Sequence, residues 1–364
     1  MRTIDCAIHP LVRHSDDLRH YMSEPWRSRA LPPAVDRSIY RPTFSLYRPD
    51  SVRMPDELPG SDPSHLRKAI PGVDQFVLLP LTRGLLAETR HEVAIAAATN
   101  NWLADVWLGS DNGDGRFKGS IRVTPRSPRD AVREIERWAG HPHFVQVAVS
   151  VEAHAPYGRE EYFPIWEAAA RNGFPVAMHI DGGGTGVELP PTSVGYPTHF
   201  AEVAVGSPHD AVLHLTSLIC DGVFERLESL VFVLADGAFD AVGALFWRLD
   251  MDWRAGRSEA PWVQRQPSHY LKDHVRFVLS RWDGPDAGHL NEALELWNAR
   301  ELLLYGSNYP SWDCLPLMEA RSLLPERALE PIMGTNAADL YQLGPVSREP
   351  NEPAASGGHP TSTE

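Results

Sequence analysis

From residue 75 onward, short apolar runs alternate with longer amphipathic stretches. Runs such as QFVLLPL (Gln75–Leu81), FPVAMH (Phe174–His179) and LVFVLAD (Leu230–Asp236) are apolar over nearly their whole length. A strand with this pattern is buried on both faces, which is typical of a parallel sheet covered by helices. The stretches between the runs repeat their apolar residues at helical spacing. The pattern therefore predicts strands and helices in strict alternation.

Eight strands are predicted, at residues 3–8, 75–81, 118–123, 143–150, 174–179, 230–236, 274–280 and 301–307. The main helices are predicted at residues 88–107, 127–139, 160–172, 209–225, 239–253, 286–298, 315–323 and 335–343. Eight strand–helix units over this length favour an α/β fold of the (β/α)8 TIM barrel type. The alternative is an open, doubly wound sheet, but no GxGxxG motif follows an early strand.

The predicted barrel domain covers residues 1–345. Within it, residues 11–72 are rich in proline and arginine and are predicted to form a long irregular insert after strand 1. Inserts of this length are usually functional, and we interpret this one as an arm over the barrel mouth or onto a second subunit. Residues 346–364 are rich in proline, glycine and serine and are predicted to be a disordered tail.

The net charge of −14 disfavours nucleic acid and anionic membranes as partners. Three cysteines, Cys6, Cys220 and Cys314, lie far apart in the chain, so neither a disulfide framework nor a thiolate zinc site is indicated. This cysteine usage suits a reducing compartment. No apolar stretch is long enough for a signal peptide or a membrane span, so we expect a cytoplasmic protein.

The carboxyl ends of barrel strands converge on one pocket, where such folds carry their chemistry. The candidates at those ends are Asp5, Cys6, His9, His179, Asp236 and Asn308. Two histidines at the ends of distant strands suit metal ligation, because neutral imidazole binds zinc, manganese and iron. Either histidine alone is equally compatible with a hydrogen-bonded pocket residue, and Cys6 with a small buried hydrophobe.

Asp236 and Asn308 each have a second interpretation. Asp236 either belongs to the site or caps the helix that begins near Phe239. Asn308 places an amide where a carboxylate would be the stronger cation ligand or general base, and it is also a plausible turn residue before Tyr309. Gly182–Gly184 follows the fifth strand, where three glycines either cradle an anion or let a loop bend.

Several segments resemble the amidohydrolase-related family. They include IDCAIHP, WEAAARNGFPVAMHIDGGG, LTSLICDGVFERLESLVFVLADGAF and LLLYGSNYPSWD. The branch that they resemble includes aminocarboxymuconate-semialdehyde decarboxylase and γ-resorcylate decarboxylase, and the resemblance covers roughly residues 3–343. It implies a (β/α)8 barrel, usually a dimer, that holds one divalent metal ion and hydrolyses or decarboxylates a small molecule.

The site positions of that family carry over to Ala7, His9, His179, Asp236, Asn308 and Ser311. Four of these residues depart from the family pattern, among them Asp236, which stands where the family carries a histidine or glutamate. Ala7 has no donor atom, Asn308 has a neutral oxygen in place of a carboxylate, and Ser311 lacks the usual imidazole. The resemblance then implies His9, His179 and Asp236 as metal ligands and Asp236, His179 and Asn308 as catalytic residues.

Three hypotheses follow from the resemblance and its departures. The first is an enzyme of this superfamily that hydrolyses or decarboxylates a small organic molecule with a divalent metal, zinc before manganese or iron. The second is a metal-free pseudoenzyme subunit that pairs with an active paralogue. A third is acid–base chemistry without metal through Asp5, His9, His179 and Asp236. The expected assembly is a homodimer, or a heterodimer with the paralogue.

Overall fold

The computed structural model describes residues 1–13, 15–29, 60–82, 86, 88–181, 195, 199–311 and 313–346. Three predictions fall wholly or largely outside these ranges: the central part of the arm at residues 30–59, the Gly182–Gly184 loop, and the tail from residue 347. The domain boundaries stay predictions.

The sheet confirms the predicted (β/α)8 barrel. Eight parallel strands follow one another in sequence order around it. They are β1 (Ile4–Ile8), β2 (Gln75–Leu78), β3 (Phe117–Arg122), β4 (Phe144–Ser150), β5 (Val176–His179), β6 (Phe232–Leu234), β7 (Val275–Leu279) and β8 (Leu303–Tyr305). Each lies within a few residues of its predicted bounds, because the apolar runs that predicted the strands are the residues buried on both faces.

Helices connect the strands on the outside of the barrel. They are α1 (Ser15–Arg19), α2 (Pro63–Ala69), α3 (Thr89–Trp102), α4 (Pro128–Trp138), α5 (Phe163–Arg171), α6 (Phe200–Cys220), α7 (Val223–Arg226), α8 (Phe239–Ala255), α9 (Pro267–His274), α10 (Ala287–Leu296), α11 (Leu317–Leu323), α12 (Glu326–Glu330) and α13 (Asn336–Leu340). Short 3-10 turns lie at Ser110–Asn112, Glu160–Tyr162 and Ala299–Glu301, and π-helical turns at Leu103–Trp107 and Pro331–Thr335.

Parts of the helix prediction are wrong. The insert at residues 11–72 is not irregular throughout, because α1 and α2 lie within it. Asp62 starts α2 by accepting hydrogen bonds from the amides of Ser64 and His65, with Pro63 at the first helical position. The helix predicted from residue 209 begins nine positions earlier, at Phe200, and continues through Pro208. In addition, α9 and α12 were not predicted.

The amino-terminal end of the barrel is filled by side chains, so the site has to lie at the other end. Tyr341, just after α13, donates to the side chain of Gln146 at 2.8 Å, and Gln146 donates to Ser120 Oγ at 2.8 Å. Ser120 in turn donates to the carbonyl of Leu78 at 2.8 Å. Small apolar side chains such as that of Ala148 fill the barrel interior between these hydrogen-bonded residues and the mouth.

Asp5 ties the two ends of the sheet together where β1 meets β8. Its Oδ1 accepts hydrogen bonds from the amides of Ser307 at 2.9 Å and Ala7 at 3.2 Å. A single bridge between Ile8 and Tyr309 closes the barrel further along. The Asp5 carboxyl group is fully buried, and its Oδ2 has no hydrogen-bond partner among the described residues. Burial accordingly raises the pKa of Asp5 to about 6, against three opposing hydrogen bonds.

No helix within the described ranges is long and apolar enough to span a membrane.

We predict that Asp5→Asn removes a pH dependence from the stability of the barrel. A carboxyl group whose pKa is higher in the folded chain binds more protons when folded, so stability falls as pH rises through the window. With a folded pKa of about 6 against the ordinary aspartate pKa of 3.8, wild type should lose up to about 3 kcal/mol between pH 4 and pH 7 relative to Asp5→Asn.

Urea unfolding at several pH values measures this difference. The Asn variant keeps an oxygen for both amides, whereas Asp5→Ala leaves them unpaired and should lose about 1–3 kcal/mol at every pH. Parallel stability curves for wild type and Asp5→Asn would contradict the account of this carboxyl group.

Candidate metal centre at the barrel mouth

Two histidines meet at the carboxyl ends of β1 and β5. His9 follows β1 directly, and His179 is the last residue of β5. Both side chains are fully buried. Their ring centroids lie 4.6 Å apart, with 62° between the ring planes. The strand order around the barrel thus brings together two residues that are distant in sequence, as predicted.

The hydrogen bonds of the two rings determine which nitrogen carries the proton. His9 Nδ1 lies 2.9 Å from the carbonyl oxygen of Leu79, and His179 Nδ1 lies 2.6 Å from that of Ile180. A carbonyl only accepts, so each Nδ1 carries the hydrogen and each Nε2 presents a lone pair when the ring is neutral. Burial lowers the pKa of His9 to about 3 and also lowers the pKa of His179, so both rings are neutral at neutral pH.

Asn308 places its amide oxygen between the two Nε2 atoms. Oδ1 lies 2.6 Å from Nε2 of His9 and 3.4 Å from Nε2 of His179. The amide nitrogen donates to Asp313 Oδ1 at 3.2 Å, which fixes the orientation of the amide. The Asn308 backbone has φ 59°, in the left-handed region that asparagine tolerates better than most residues.

With Nδ1 protonated on both rings, the two Nε2 atoms and the amide oxygen are all acceptors and face one another. A cation among them would stabilise this arrangement. The donor set fits a divalent metal ion, for which imidazole nitrogen and amide oxygen are ordinary ligands. His9, His179 and Asn308 are the residues that would hold it.

Asp236 supplies a carboxyl group beside this cluster. Its Oδ1 lies 3.7 Å from His179 Nε2, and 23% of the side chain is exposed. Burial and the neighbouring Asp313 carboxylate raise the pKa of Asp236 to about 8, while Arg281 opposes the shift. The alternative role as a helix cap does not hold, because Ala238 and not Asp236 occupies the cap position of α8.

The three predicted metal ligands do not form a sufficient set by themselves. In the part of the chain that the structure describes, no three histidine, cysteine or carboxylate side chains are grouped closely enough to hold a metal ion. The oxygen of Asn308 has to be counted with His9, His179 and Asp236. The assignment of ligands and catalytic residues stays a prediction, with Asn308 moved to the centre of the cluster.

The structure places the remaining candidates as follows. Asp5 lies in the β1–β8 seam, and Cys6 and Ala7 lie in the barrel interior, so these three residues do not join the cluster. Ser311 does reach it, because its hydroxyl donates to Asp313 Oδ1 at 2.6 Å. Asp313 thus binds both Asn308 and Ser311.

A second polar group on the β3–β5 side of the mouth was missed by the sequence analysis. Arg122 at the end of β3 forms an ion pair with Asp181, and both side chains are almost completely buried. The backbone amide of Asp181 donates to the carboxylate of Glu152 at 3.0 and 3.3 Å. All three residues end a strand or follow one within two positions, and that placement could have identified them as it identified Asp236.

Comparison with solved structures shows the same fold in proteins of low sequence identity. An amidohydrolase from Mycobacterium avium subsp. paratuberculosis K-10 superposes with a TM-score of 0.73 at 18% identity, covering 94% of this chain and 98% of its own. A 5-carboxyvanillate decarboxylase from Sphingomonas paucimobilis gives a TM-score of 0.64 at 19% identity, covering 94% and 99%.

A dihydroxybenzoic acid decarboxylase from Polaromonas sp. JS666, solved with bound manganese and the inhibitor 2-nitroresorcinol, gives a TM-score of 0.63 at 15% identity. It covers 94% of this chain and 97% of its own. No curated protein sequence matches the chain.

The sequence profile of the amidohydrolase family matches residues 4–343, which includes every strand of the barrel and every residue of the cluster. The resemblance stated from the sequence motifs is confirmed by this match. The chain belongs to the amidohydrolase family.

Proposed function

We propose that this protein is a metal-dependent decarboxylase of a small aromatic carboxylic acid. The observation that carries the proposal is the convergence of the Nε2 lone pairs of His9 and His179 on the oxygen of Asn308. In this proposal those three residues bind the cation, and Asp236 releases its proton when the cation binds and contributes an anionic oxygen.

Manganese is the divalent ion that we favour, ahead of the zinc expected from the sequence. Manganese is bound in the decarboxylase from Polaromonas sp. JS666 and in a 5-carboxyvanillate decarboxylase from Novosphingobium aromaticivorans. The proposed ligand atoms are two imidazole nitrogens and the oxygens of Asn308 and Asp236. Carboxylate and carbonyl oxygens suit manganese, and no thiolate is present among these ligand atoms to favour zinc.

Decarboxylation fits the site better than hydrolysis. Hydrolysis needs a base that takes a proton from water, and the amide of Asn308 cannot act as one at the position where the family carries an aspartate. Decarboxylation breaks the bond between a ring carbon and its carboxylate, releases carbon dioxide and delivers one proton to that carbon. It requires no activated water, and several structural neighbours catalyse it according to their names.

When bound, the cation would supply the positive charge that polarises a substrate oxygen. The protein supplies a further cation at the rim. Arg281 follows β7, and its side chain is 41% exposed. Its Nη1 lies 3.6 Å from Asp313 Oδ2, and its Nη2 lies 2.6 Å from Asp283 Oδ1. A partly exposed guanidinium beside the cluster can bind and orient the carboxylate of an incoming substrate.

The pseudoenzyme alternative draws no support from the family match or from the structural neighbours. A metal-free subunit would have no need to hold three acceptor atoms against one another. Acid–base chemistry without metal is also disfavoured, because Asp5 lies outside the cluster.

The predicted homodimer or heterodimer stays a prediction. Trp247, Met251 and Leu296 are exposed apolar side chains that a second chain could cover.

The first prediction concerns the metal. The purified protein should bind about one Mn²⁺ per chain after dialysis against the ion, because the donor set is preformed. His179→Ala should lose most of this binding, since it removes one of two imidazoles. His143→Ala, a partly exposed histidine before β4, is the matched control and should bind as wild type does. Elemental analysis gives the stoichiometry. Equal metal content in all three proteins, or none in any, would exclude the proposed centre.

The second prediction concerns Asn308. The change Asn308→Asp keeps the size of the side chain and adds a negative charge at the point where the lone pairs converge. Affinity for Mn²⁺ should rise about tenfold or more, because charge count tunes cation affinity. Asn308→Ala should weaken binding instead. Calorimetric titration measures both. If the Asp variant binds no more tightly than wild type, Asn308 does not contact the ion.

The third prediction concerns the reaction. Manganese-loaded protein offered a panel of hydroxylated benzoates, each carrying ¹³C in the carboxylate, should release labelled carbon dioxide in equal amount with the decarboxylated arene. His9→Ala should reduce turnover at least about a thousandfold, since it removes a ligand of the charge-stabilising centre. Turnover of matching amides or esters without carbon dioxide release would favour hydrolysis. Identical background rates for wild type and His9→Ala would favour the pseudoenzyme.

A further inference from the structure

We propose that Arg122, Glu152 and Asp181 are positioning residues for His179. They fix the peptide that follows His179, so that the carbonyl of Ile180 holds the imidazole with its proton on Nδ1 and its lone pair toward the centre. This inference rests on the proposed metal function, because fixing the direction of the Nε2 lone pair serves a function only if a metal ion binds to it. The arrangement itself can be tested without metal.

The backbone on the near side of that peptide is held by the sheet. His179 pairs with Ser150 across the β4–β5 ladder, and its carbonyl accepts from the amide of Val151 at 2.9 Å. These are ordinary main-chain bonds, and they end at His179, because β5 ends there. Beyond this point the ladder no longer determines the direction of the chain.

After His179, side-chain contacts hold the backbone in place of main-chain bonds. The amide of Asp181 donates to both carboxylate oxygens of Glu152, at 3.0 and 3.3 Å, and Glu152 in turn accepts from the hydroxyl of Ser150. The carboxylate of Asp181 pairs with the guanidinium of Arg122. The same carboxylate lies 3.5 Å from the hydroxyl oxygen of Thr82. Asp181 is therefore tied through its amide to β4 and through its side chain to β3.

The Ile180 peptide is thus clamped between two fixed residues, and the direction of its carbonyl follows. That carbonyl oxygen lies 2.6 Å from His179 Nδ1. A backbone carbonyl beside one ring nitrogen fixes both the tautomer and the orientation of a ligating histidine. Loss of the clamp would let the peptide rotate, and either nitrogen of His179 could then carry the proton.

The comparison with His9 explains why only one histidine needs this support. The Nδ1 of His9 bonds to the carbonyl of Leu79 on the neighbouring chain segment, at 2.9 Å. Leu79 is itself held there, because its amide donates to Ile8 at 2.7 Å. His9 is oriented by the barrel framework, whereas His179 depends on a carbonyl beyond the last ladder bond of its own strand.

Stability alone does not account for the Arg122–Asp181 pair. Both side chains are nearly inaccessible, at 3% and 0% exposure. Removing two charges from water is costly, and replacing a buried ion pair by neutral groups of similar volume is often neutral or stabilising. What a buried pair of this kind does provide is a directed contact, which is what a positioning role requires.

The test uses a double variant, Arg122→Met with Asp181→Asn, in the full chain. Removing both charges avoids leaving either member of the pair as a lone buried charge. The matched control is Arg126→Met with Glu92→Gln. This pair lies at 2.9 Å on the same rim, is partly buried, and bonds to Leu86 and Thr89 instead of the segment after His179. Arg122→Lys, which keeps the charge, serves as the conservative rescue.

The first readout is ¹⁵N NMR of histidine-labelled, metal-free protein. Wild type, Arg122→Lys and the control pair should show His179 with its proton on Nδ1 alone, and the double variant should show a mixture of tautomers. The second readout is Mn²⁺ affinity by calorimetry, where the double variant should bind about 10–100-fold more weakly than wild type and the control should not.

A double variant that keeps both the wild-type tautomer and the wild-type affinity would overturn the inference. So would an equal loss in the control pair, which would show a general effect of the rim. If wild type binds no Mn²⁺ at all, the proposed function fails, while the NMR result still decides whether these residues position His179.

Discussion

The site depends on one constraint: three buried polar atoms, Nε2 of His9, Nε2 of His179 and Oδ1 of Asn308, are held close together. His9 and His179 each use Nδ1 to bond a backbone carbonyl, which leaves both Nε2 atoms as acceptors. The amide of Asn308 is turned by Asp313 so that its oxygen, not its nitrogen, faces them. Buried neutral acceptors at this spacing repel one another unless a cation is present. A cation bound among these three atoms would relieve that repulsion, which is why we propose a metal site at the mouth.

The barrel explains how these atoms are brought together. His9 comes from the first strand, His179 from the fifth and Asn308 from beyond the eighth, and only a closed sheet places all three at one rim. Few contacts close the barrel where β1 meets β8. They are the bridge between Ile8 and Tyr309 and the hydrogen bonds to the carboxylate of Asp5. The residues that close the barrel thus also set the distance between His9 and Asn308.

Much of this fold and part of the site could be predicted from the sequence. The eight apolar runs identified the strands, because burial on both faces leaves a strong compositional signal. The histidines at two strand ends identified the centre. The helices within residues 11–72 were missed because short capped helices leave little periodicity. Asp5 was misplaced because a carboxylate in a buried strand looks the same whether it faces a pocket or spans a seam.

The role of Asn308 could not be obtained from the sequence in the same way. An asparagine in place of an aspartate reads as the loss of a ligand, and only the orientation of its amide shows an oxygen directed at both imidazoles. The strand-end positions of Arg122, Glu152 and Asp181 could have marked them as candidates, but their effect on His179 runs through a backbone carbonyl. Such an effect depends on peptide geometry, which the sequence of side chains does not contain.

The most direct test is anomalous diffraction at the manganese edge from crystals of the protein soaked in Mn²⁺. The account predicts a single strong peak at the barrel mouth, within coordination distance of Nε2 of His9, Nε2 of His179 and Oδ1 of Asn308. A fully soaked crystal with no peak there, or with the Asn308 amide turned so that its nitrogen faces the two rings, would contradict it.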